Sequence, residues 1–336
     1  MSFENIRLEK GMYREGGKSF SQVLESLDPS EHYRGTALEG TDAFQRQLKR
    51  FDIRAKGPGS DNVEKFFQTF ESSVLFPEFI SRVVHQGMEE NNILPGIVAT
   101  VTDVDALDYR SIYSDATDSD KELADVAEGA SIPATTIRSR ENLITLNKRG
   151  RMLIASYEAL RFQKLDLFSV MLRQIGAHIQ RMHMDDVMKL INDNADVYEL
   201  DSTEIGGTAN SLDYDALVNF WAQFYPFEMN AMLVSAPGMT GLLKLPEFQN
   251  PATGLNFQGT GKFATPLGAQ MLLSSAVGDD MIVGLDHRYA IEMVKAGDVS
   301  VEYDKLIDRQ LERAAITSTC GFGIIMNKAI KCLKVK

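Results

Sequence analysis

If this chain bound a nucleotide, the stretch EGGKS, Glu15 to Ser19, would be the place for it. A P-loop wraps backbone N–H groups around phosphates, and its spacing G-x-x-x-x-G-K-[ST] fixes where the first glycine must stand. Here that position is Met12, Gly11 misses by one, and the preceding ENIRLEK is no buried strand to carry the loop. GTGK at Gly259 to Lys262 lacks the following Ser or Thr. His178 and His183 are five apart on a helical stretch, whereas zinc ligands of the H-E-x-x-H type are four apart with a glutamate between them. Asp115, Asp118 and Asp120 have carboxylates for a cation, but the glycine and terminal glutamate of a calcium loop are missing, so a solvated loop tip is the simpler reading. No G-x-S-x-G elbow occurs, and no cysteine has an evident histidine partner. No catalytic group, cofactor or metal is therefore expected, and the chain is not expected to be an enzyme.

Composition points the same way. Apolar residues at 44% and charged residues at 24% of 336 are ordinary for a soluble globular chain, long enough for two or three packed units. A net charge of −12 opposes tight nucleic-acid binding by the whole surface, because phosphate contacts need Lys and Arg. The basic stretch RQLKRFDIRAK, with Arg46, Lys49, Arg50, Arg54 and Lys56 against Asp52, reads as a solvated helix face. No run of eighteen apolar residues exists, so no transmembrane helix is expected, and the charged N-terminus has no secretory apolar region. Cys320 and Cys332 fit a reducing cytoplasm and are expected unpaired.

The elements supply what the motifs do not. Residues 1–61 read as an arm with two short amphipathic helices. Phe20, Val23, Leu24 and Leu27 form one stripe, with Ser19 and Gln22 as a capping box and Asp28-Pro29 as its end. Phe44, Leu48 and Phe51 form the other, capped by Thr41 or Asp42. Helices this short are marginal alone and need another surface. KGPGSD, Lys56 to Asp61, reads as a hinge. Helices separated by a break at FPEF follow, then extended chain over GIVATVTDVDALDYRSIYS, then the acidic, turn-rich DATDSDKELADVAEGAS.

From Ile132 to Leu160 the chain alternates like a β-ribbon, yet it carries Arg138, Arg140, Glu141, Lys148, Arg149 and Arg151. A two-stranded ribbon is marginal in water, and one so charged must lie on some other surface. A long helix from about Asp166 to Asp193 comes next, its stripe including Leu167, Phe168, Met171, Leu172 and Ile175. Beyond Leu200, short helices and strands alternate around a Gly- and Pro-rich loop, and the last segment reads as two strands joined at Asn327-Lys328. The fold class is α+β. An amphipathic arm, a charged ribbon and a long helix all present surface that a lone subunit leaves unsatisfied, which argues for a chain completed by its neighbours.

In this order the features resemble a known family. AEGASIPATTI…ENLITLNKRGRMLIASYEALR, followed by DLFSVMLRQIGAHIQRMHMDDVMKLIND and closed by DHRYAIEMVKAGDVSVEYDKLIDRQLERAAITSTCGFGI, resembles the major capsid proteins of tailed bacteriophages with the Hong Kong 97-type fold. The resemblance implies an N-terminal arm (1–61), a peripheral P domain around the spine helix (62–110, 152–200 and 297–336), an extended E-loop hairpin (111–151) and an axial A domain (201–296). It implies hexamers and pentamers of one chain closed into an icosahedral shell around double-stranded DNA, without sequence-specific binding. The E-loop would lie across an adjacent subunit, with Arg138, Arg140, Glu141, Lys148, Arg149 and Arg151 at the contact. The arm residues Phe20, Leu24, Leu27, Phe44, Leu48 and Phe51 would make further intersubunit contacts. It also implies scaffolding and portal proteins as partners, no membrane, assembly in the bacterial host cytoplasm and a final place in the virion capsid. The arm is short for a cleaved scaffolding segment, which points to a separate scaffold. Some members crosslink an E-loop lysine to an asparagine, but motif matching does not support pairing Lys148 with Asn327. The alternative in the same fold is an encapsulin-like compartment enclosing protein cargo.

Overall fold

The computed structural model describes residues 3–14, 17–106, 108–114, 125–126, 128–129, 137–139, 143–194, 197–202, 212–249 and 266–335. Its helices are α1 (Phe20–Leu27), α2 (Ala43–Arg50), α3 (Phe70–Glu90), α4 (Tyr157–Phe162), α5 (Leu165–Asp193), α6 (Tyr214–Ala222), α7 (Ala236–Leu243) and α8 (Pro246–Gln249). The strands of its first half are β1 (Val98–Asp103), β2 (Asp108–Tyr109), β3 (Ile112–Ser114), β4 (Ile137–Ser139), β5 (Ile144–Thr145) and β6 (Asn147–Ser156). Those of its second half are β7 (Tyr198–Asp201), β8 (Ala231–Val234), β9 (Gln270–Leu273), β10 (Met281–Leu285), β11 (Ile291–Lys295), β12 (Ser300–Leu306), β13 (Leu311–Ile324) and β14 (Ile330–Lys334). None of the described helices is long and apolar enough to cross a membrane. Two compact units divide the chain. One holds Met1–Asn91, Arg149–Gln180 and Val299–Ser318, and the other Asn92–Lys148, Arg181–Asp298 and Thr319–Lys336.

The first unit absorbs the arm. Both expected caps form: Ser19 closes a capping box with Gln22 at the start of α1, and Asp42 does so with Gln45 at the start of α2. The stripes they launch do not wait for a neighbour. Phe20, Val23, Leu24 and Phe44 are 2%, 2%, 0% and 3% exposed, in one apolar core with Phe66, Phe76, Phe79 and Leu172. The expected hinge is fastened as well. Lys164 Nζ donates to Ser60 C=O at 3.0 Å, Val63 N–H to Gln163 C=O and Leu165 N–H to Asp61 C=O, both at 2.9 Å.

Arg46 departs furthest from its expected solvated face. It is fully buried, with Nε donating to Asp28 Oδ2 at 2.6 Å and Nη2 to Asp28 C=O at 2.6 Å. Nη1 donates to Thr41 C=O at 2.5 Å and Ser30 Oγ at 3.1 Å, and the guanidinium lies over the Tyr33 ring at 4.3 Å. Charge satisfied on every side is the only kind that such a site tolerates. Lys49 stays exposed, and Arg50 pairs with Glu71 at 2.8 Å.

The break expected at FPEF does not occur, since α3 runs through Pro77. Near its other end α3 meets α5 backbone to backbone. A Cβ added at Gly87 would lie 2.2 Å from the Arg173 carbonyl oxygen, and one at Gly176 2.1 Å from that of Val84. Only hydrogen fits at either place. In the same unit β12 pairs antiparallel with the first half of β13, Ser300 opposite Thr317 and Leu306 opposite Leu311.

In the second unit one sheet has the order β7-β14-β10-β8-β9, with β14 parallel to β7 and antiparallel to β10. The closing strand β14 therefore lies in a different sheet from β13. A second pairing joins β1 parallel to β11, and β11 antiparallel to the later half of β13. Ile291, Phe322 and Ile324 pack there with Met184, Val187 and Ile191 of the spine helix. At 1.5 Å per residue, this helix of 29 residues is about 43 Å long.

Asp286, fully buried, ties together the turns of this unit. It accepts from Asn230 Nδ2 at 2.7 Å, Arg288 Nε at 2.9 Å and Glu228 N–H at 3.1 Å. Burial alone would raise its pKa, but these hydrogen bonds outweigh it and hold the carboxyl at about 2. Cys320 and Cys332 are buried and not joined in a disulfide, and burial pushes the Cys332 thiol up to about 12.

Candidate functional site

Where it is described, the stretch expected as a ribbon over Ile132 to Leu160 is extended as far as Ser156, but it pairs with earlier strands and with β13, and a helix begins at Tyr157. β3 pairs antiparallel with β4, Tyr113 opposite Arg138, and β2 pairs antiparallel with β5, Asp108 opposite Thr145 and Tyr109 opposite Ile144. Within the second unit the chain thus runs out along β2 and β3 and back along β4 and β5. The acidic stretch between them, with Asp115, Asp118 and Asp120, lies outside the described residues, as do Arg140 and Glu141.

The root of the ribbon is built on glycine. In CGFG, Cys320 to Gly323, the side chains of Cys320 and Phe322 enter the core while the two glycines face the other way. A Cβ on Gly321 would stand 2.7 Å from the Thr145 carbonyl oxygen, and one on Gly323 2.4 Å from Ile144 Cδ1 and 3.0 Å from Glu292 Oε1. β5 thus lies directly on bare backbone of β13, and Leu146 beside it is 5% exposed. Overpacking here shifts backbone, not a flexible tip, and costs about 1–3 kcal/mol. Gly321→Val should lower the unfolding free energy by about that amount and displace the ribbon. Fast exchange of the amides at 108–114 and 143–146, seen by hydrogen-exchange mass spectrometry, is the expected reading. Unchanged protection there would sink this assignment of the root.

The charged residues that follow the root are divided by exposure. Lys148 and Arg151 are exposed and Arg149 is half-buried, while of Arg138 only the backbone position in β4 is described. Among the arm residues expected at intersubunit contacts, Phe20, Leu24 and Phe44 are corrected: they are internal to the chain, and Leu48 and Phe51 pack half-buried against the same core. The apolar pull that a short helix needs is met by α3 and the spine. Leu27, at 50% exposed, is the member of the set that still offers surface.

Other apolar side chains are exposed in their place. On β6, Leu153 and Ala155 turn inward, while Met152 and Ile154 are 49% and 59% exposed. On α5, Phe168, Leu172 and Ile175 turn inward, while Leu167 and Met171 are 56% and 57% exposed, and Phe162 just before them is 75% exposed. Large apolar side chains exposed in such number on one unit are what contact surfaces leave bare in a separate subunit. The signal was in the sequence as surplus: Leu167 and Met171 widen the stripe beyond what one core-facing face holds.

His178 is exposed on α5, while His183 is buried with its ring against the edge of Phe322, centroids 6.2 Å apart. The described residues hold no group of three His, Cys, Asp or Glu side chains arranged for a metal ion.

Comparison with known proteins adds a family and a fold. The family model described as phage capsid protein matches residues 140–324, from the returning strand of the ribbon to the end of β13. No protein of curated function matches the chain. Among solved structures, the capsid of a native GTA particle is 15% identical, with a TM-score of 0.53, covering 70% of this chain and 88% of that one. A virus-like particle from Pyrococcus furiosus is 11% identical at a TM-score of 0.51, covering 76% of this chain and 98% of that one. The Mycobacterium phage Che8 structure is 14% identical at 0.51, covering 68% and 84%. At such identities the likeness is one of fold, the Hong Kong 97-type fold of phage capsids.

Proposed function

We propose, because this chain belongs to the phage capsid protein family, that it is the repeating subunit of an icosahedral shell closed around double-stranded DNA. The observation that carries the reading is the set of exposed apolar side chains of the first unit, Met152 and Ile154 on one strand and Phe162, Leu167 and Met171 along the helices that follow, on a chain whose ribbon is rooted on glycine and carries charge beyond its root. Buried apolar area holds subunits together, and charged rims set register and let wrong contacts dissolve. Many modest contacts then add up over a closed lattice, each subunit being held by several neighbours.

In this reading residues 111–151 are the E-loop, 201–296 the A domain, and the segments around the spine the P domain. The ribbon lies across an adjacent subunit, and hexamers and pentamers are the units of the lattice. Scaffolding and portal proteins take part in assembly, which occurs in the host cytoplasm and ends in the virion. The role is mechanical, with no chemical step assigned to the chain. A net charge of −12 suits a container whose lining should not immobilise packaged DNA.

Replacing Arg138, Arg140 and Arg151 together by Glu should leave the thermal unfolding midpoint within a few degrees of the parent and abolish closed particles in electron micrographs. Normal particles from that variant would contradict the ribbon's place at the contact. Nucleic acid within parent particles is expected; a protein cargo in its place would favour the encapsulin-like alternative.

A further inference from the structure

A proline inside a helix has no N–H for the carbonyl four residues back, and its ring presses on that carbonyl. Kinks follow at such places, or where a side chain enters the ladder of hydrogen bonds. Pro77 stands well inside α3, and both conditions meet there. The carbonyl that Pro77 leaves without a donor is that of Ser73, and the next pair along the ladder is Val74 C=O and Glu78 N–H. The Tyr13 hydroxyl reaches them both, accepting from Glu78 N–H at 3.0 Å and donating to Val74 C=O at 2.8 Å. Its ring is held by stacking on Phe20, with centroids 4.4 Å apart and planes 8° from parallel.

Two more groups from the same N-terminal stretch converge on this turn. Ser21 Oγ donates to Glu78 Oε1 at 2.5 Å, and Arg82 Nε donates to that oxygen at 2.9 Å. Arg82 Nη1 in turn donates to Asp42 Oδ2 at 2.5 Å, and its guanidinium lies over the Phe44 ring at 4.4 Å. Tyr13, Ser21 and Asp42 thus grip one turn of α3 around its proline. The half of the helix beyond that turn carries Gly87, whose backbone is pressed against Arg173 of α5.

We infer that α3 has a hinge at Pro77 and that Tyr13 is the latch holding it shut. With the hydroxyl in place, the two groups next to the proline's missing step are satisfied through a partner that the helix does not own. With it withdrawn, they are released and the second half of α3 gains freedom to bend. That bend is transmitted to the crossing at Gly87. A shell subunit must fit more than one arrangement of neighbours, and the latch gives it one defined place to flex; this use rests on the shell reading, whereas the latch itself does not.

Tyr13→Phe keeps the ring and its stack and removes only the hydroxyl. In the full-length chain, exchange of the amides at residues 74–82 should rise about tenfold, the size of one lost hydrogen bond. The rise should vanish when Pro77→Ala is combined with it, because alanine gives Ser73 C=O its donor back and removes the ring, so that the turn closes and Glu78 N–H bonds Val74 C=O directly. Unchanged exchange in Tyr13→Phe, or an equal rise with and without Pro77→Ala, overturns the hinge. The exchange is read on the chain itself, so its failure is distinct from a failure of the chain to form particles.

Discussion

Deleting residues 2–60 will cost this chain its folded state, not just its contacts with neighbours. Leu8, Phe20, Leu24, Phe44 and Ile53 are at most 5% exposed and share a core with α3 and the spine. Burying each such side chain contributes about 1.5–3 kcal/mol, and their sum rivals the about 5–15 kcal/mol by which whole domains are stable. The deletion also uncovers Phe66, Val74 and Phe76, whose exposure favours aggregation. The expected reading is loss of a cooperative thermal transition and of soluble protein. A truncated chain that melts cooperatively near the parent's midpoint would show that the arm lies outside the core after all.

Asp28→Ala is the single substitution with the largest expected effect. Arg46 and Asp28 are 0% and 1% exposed, so removing the carboxylate strands a guanidinium where water does not reach. Breaking such a pair from one side costs about 3–5 kcal/mol, although the intact pair itself contributes little. Asp28→Asn keeps an acceptor for Nε and should cost clearly less. Chemical denaturation followed by tryptophan fluorescence and by circular dichroism measures both. A loss below about 1 kcal/mol in the alanine variant would place the pair among solvent-screened surface bridges.

Why the sequence misjudged Arg46 is instructive. Its neighbours Lys49, Arg50, Arg54 and Lys56 made it one of a basic set, and nothing local marks one arginine as inward. The carboxylate that makes the burial tolerable stands 18 positions earlier. Pro77 was misjudged for the same reason: the hydroxyl bridging its turn comes from Tyr13, 61 positions before Val74. Signals confined to a few residues were legible. Ser19 with Gln22, and Asp42 with its helix, are side chain-to-backbone bonds over three positions, and the caps form as read. The spine helix was legible from its period, which extends over many turns and averages out exceptions such as Leu167 and Met171.

Pairing is harder to read than type. Alternation identified the last segment as two strands, but which sheet each one joins depends on partners far away in sequence, and β13 and β14 part company. The ribbon was legible from alternation and from its excess of charge. Its glycine seat was not, because Gly321 and Gly323 speak only through what they leave room for. As for the assembly surface, the arm's stripes were taken for it because short amphipathic helices need a partner. The chain supplies that partner itself, and exposure moves to Met152, Ile154, Leu167 and Met171.

Negative-stain electron microscopy of the purified full-length chain tests most directly whether this is a shell subunit. Closed particles of uniform diameter with icosahedral outlines are the expected images. Dispersed subunits or shapeless aggregates, under conditions where the chain is folded by circular dichroism, would contradict it.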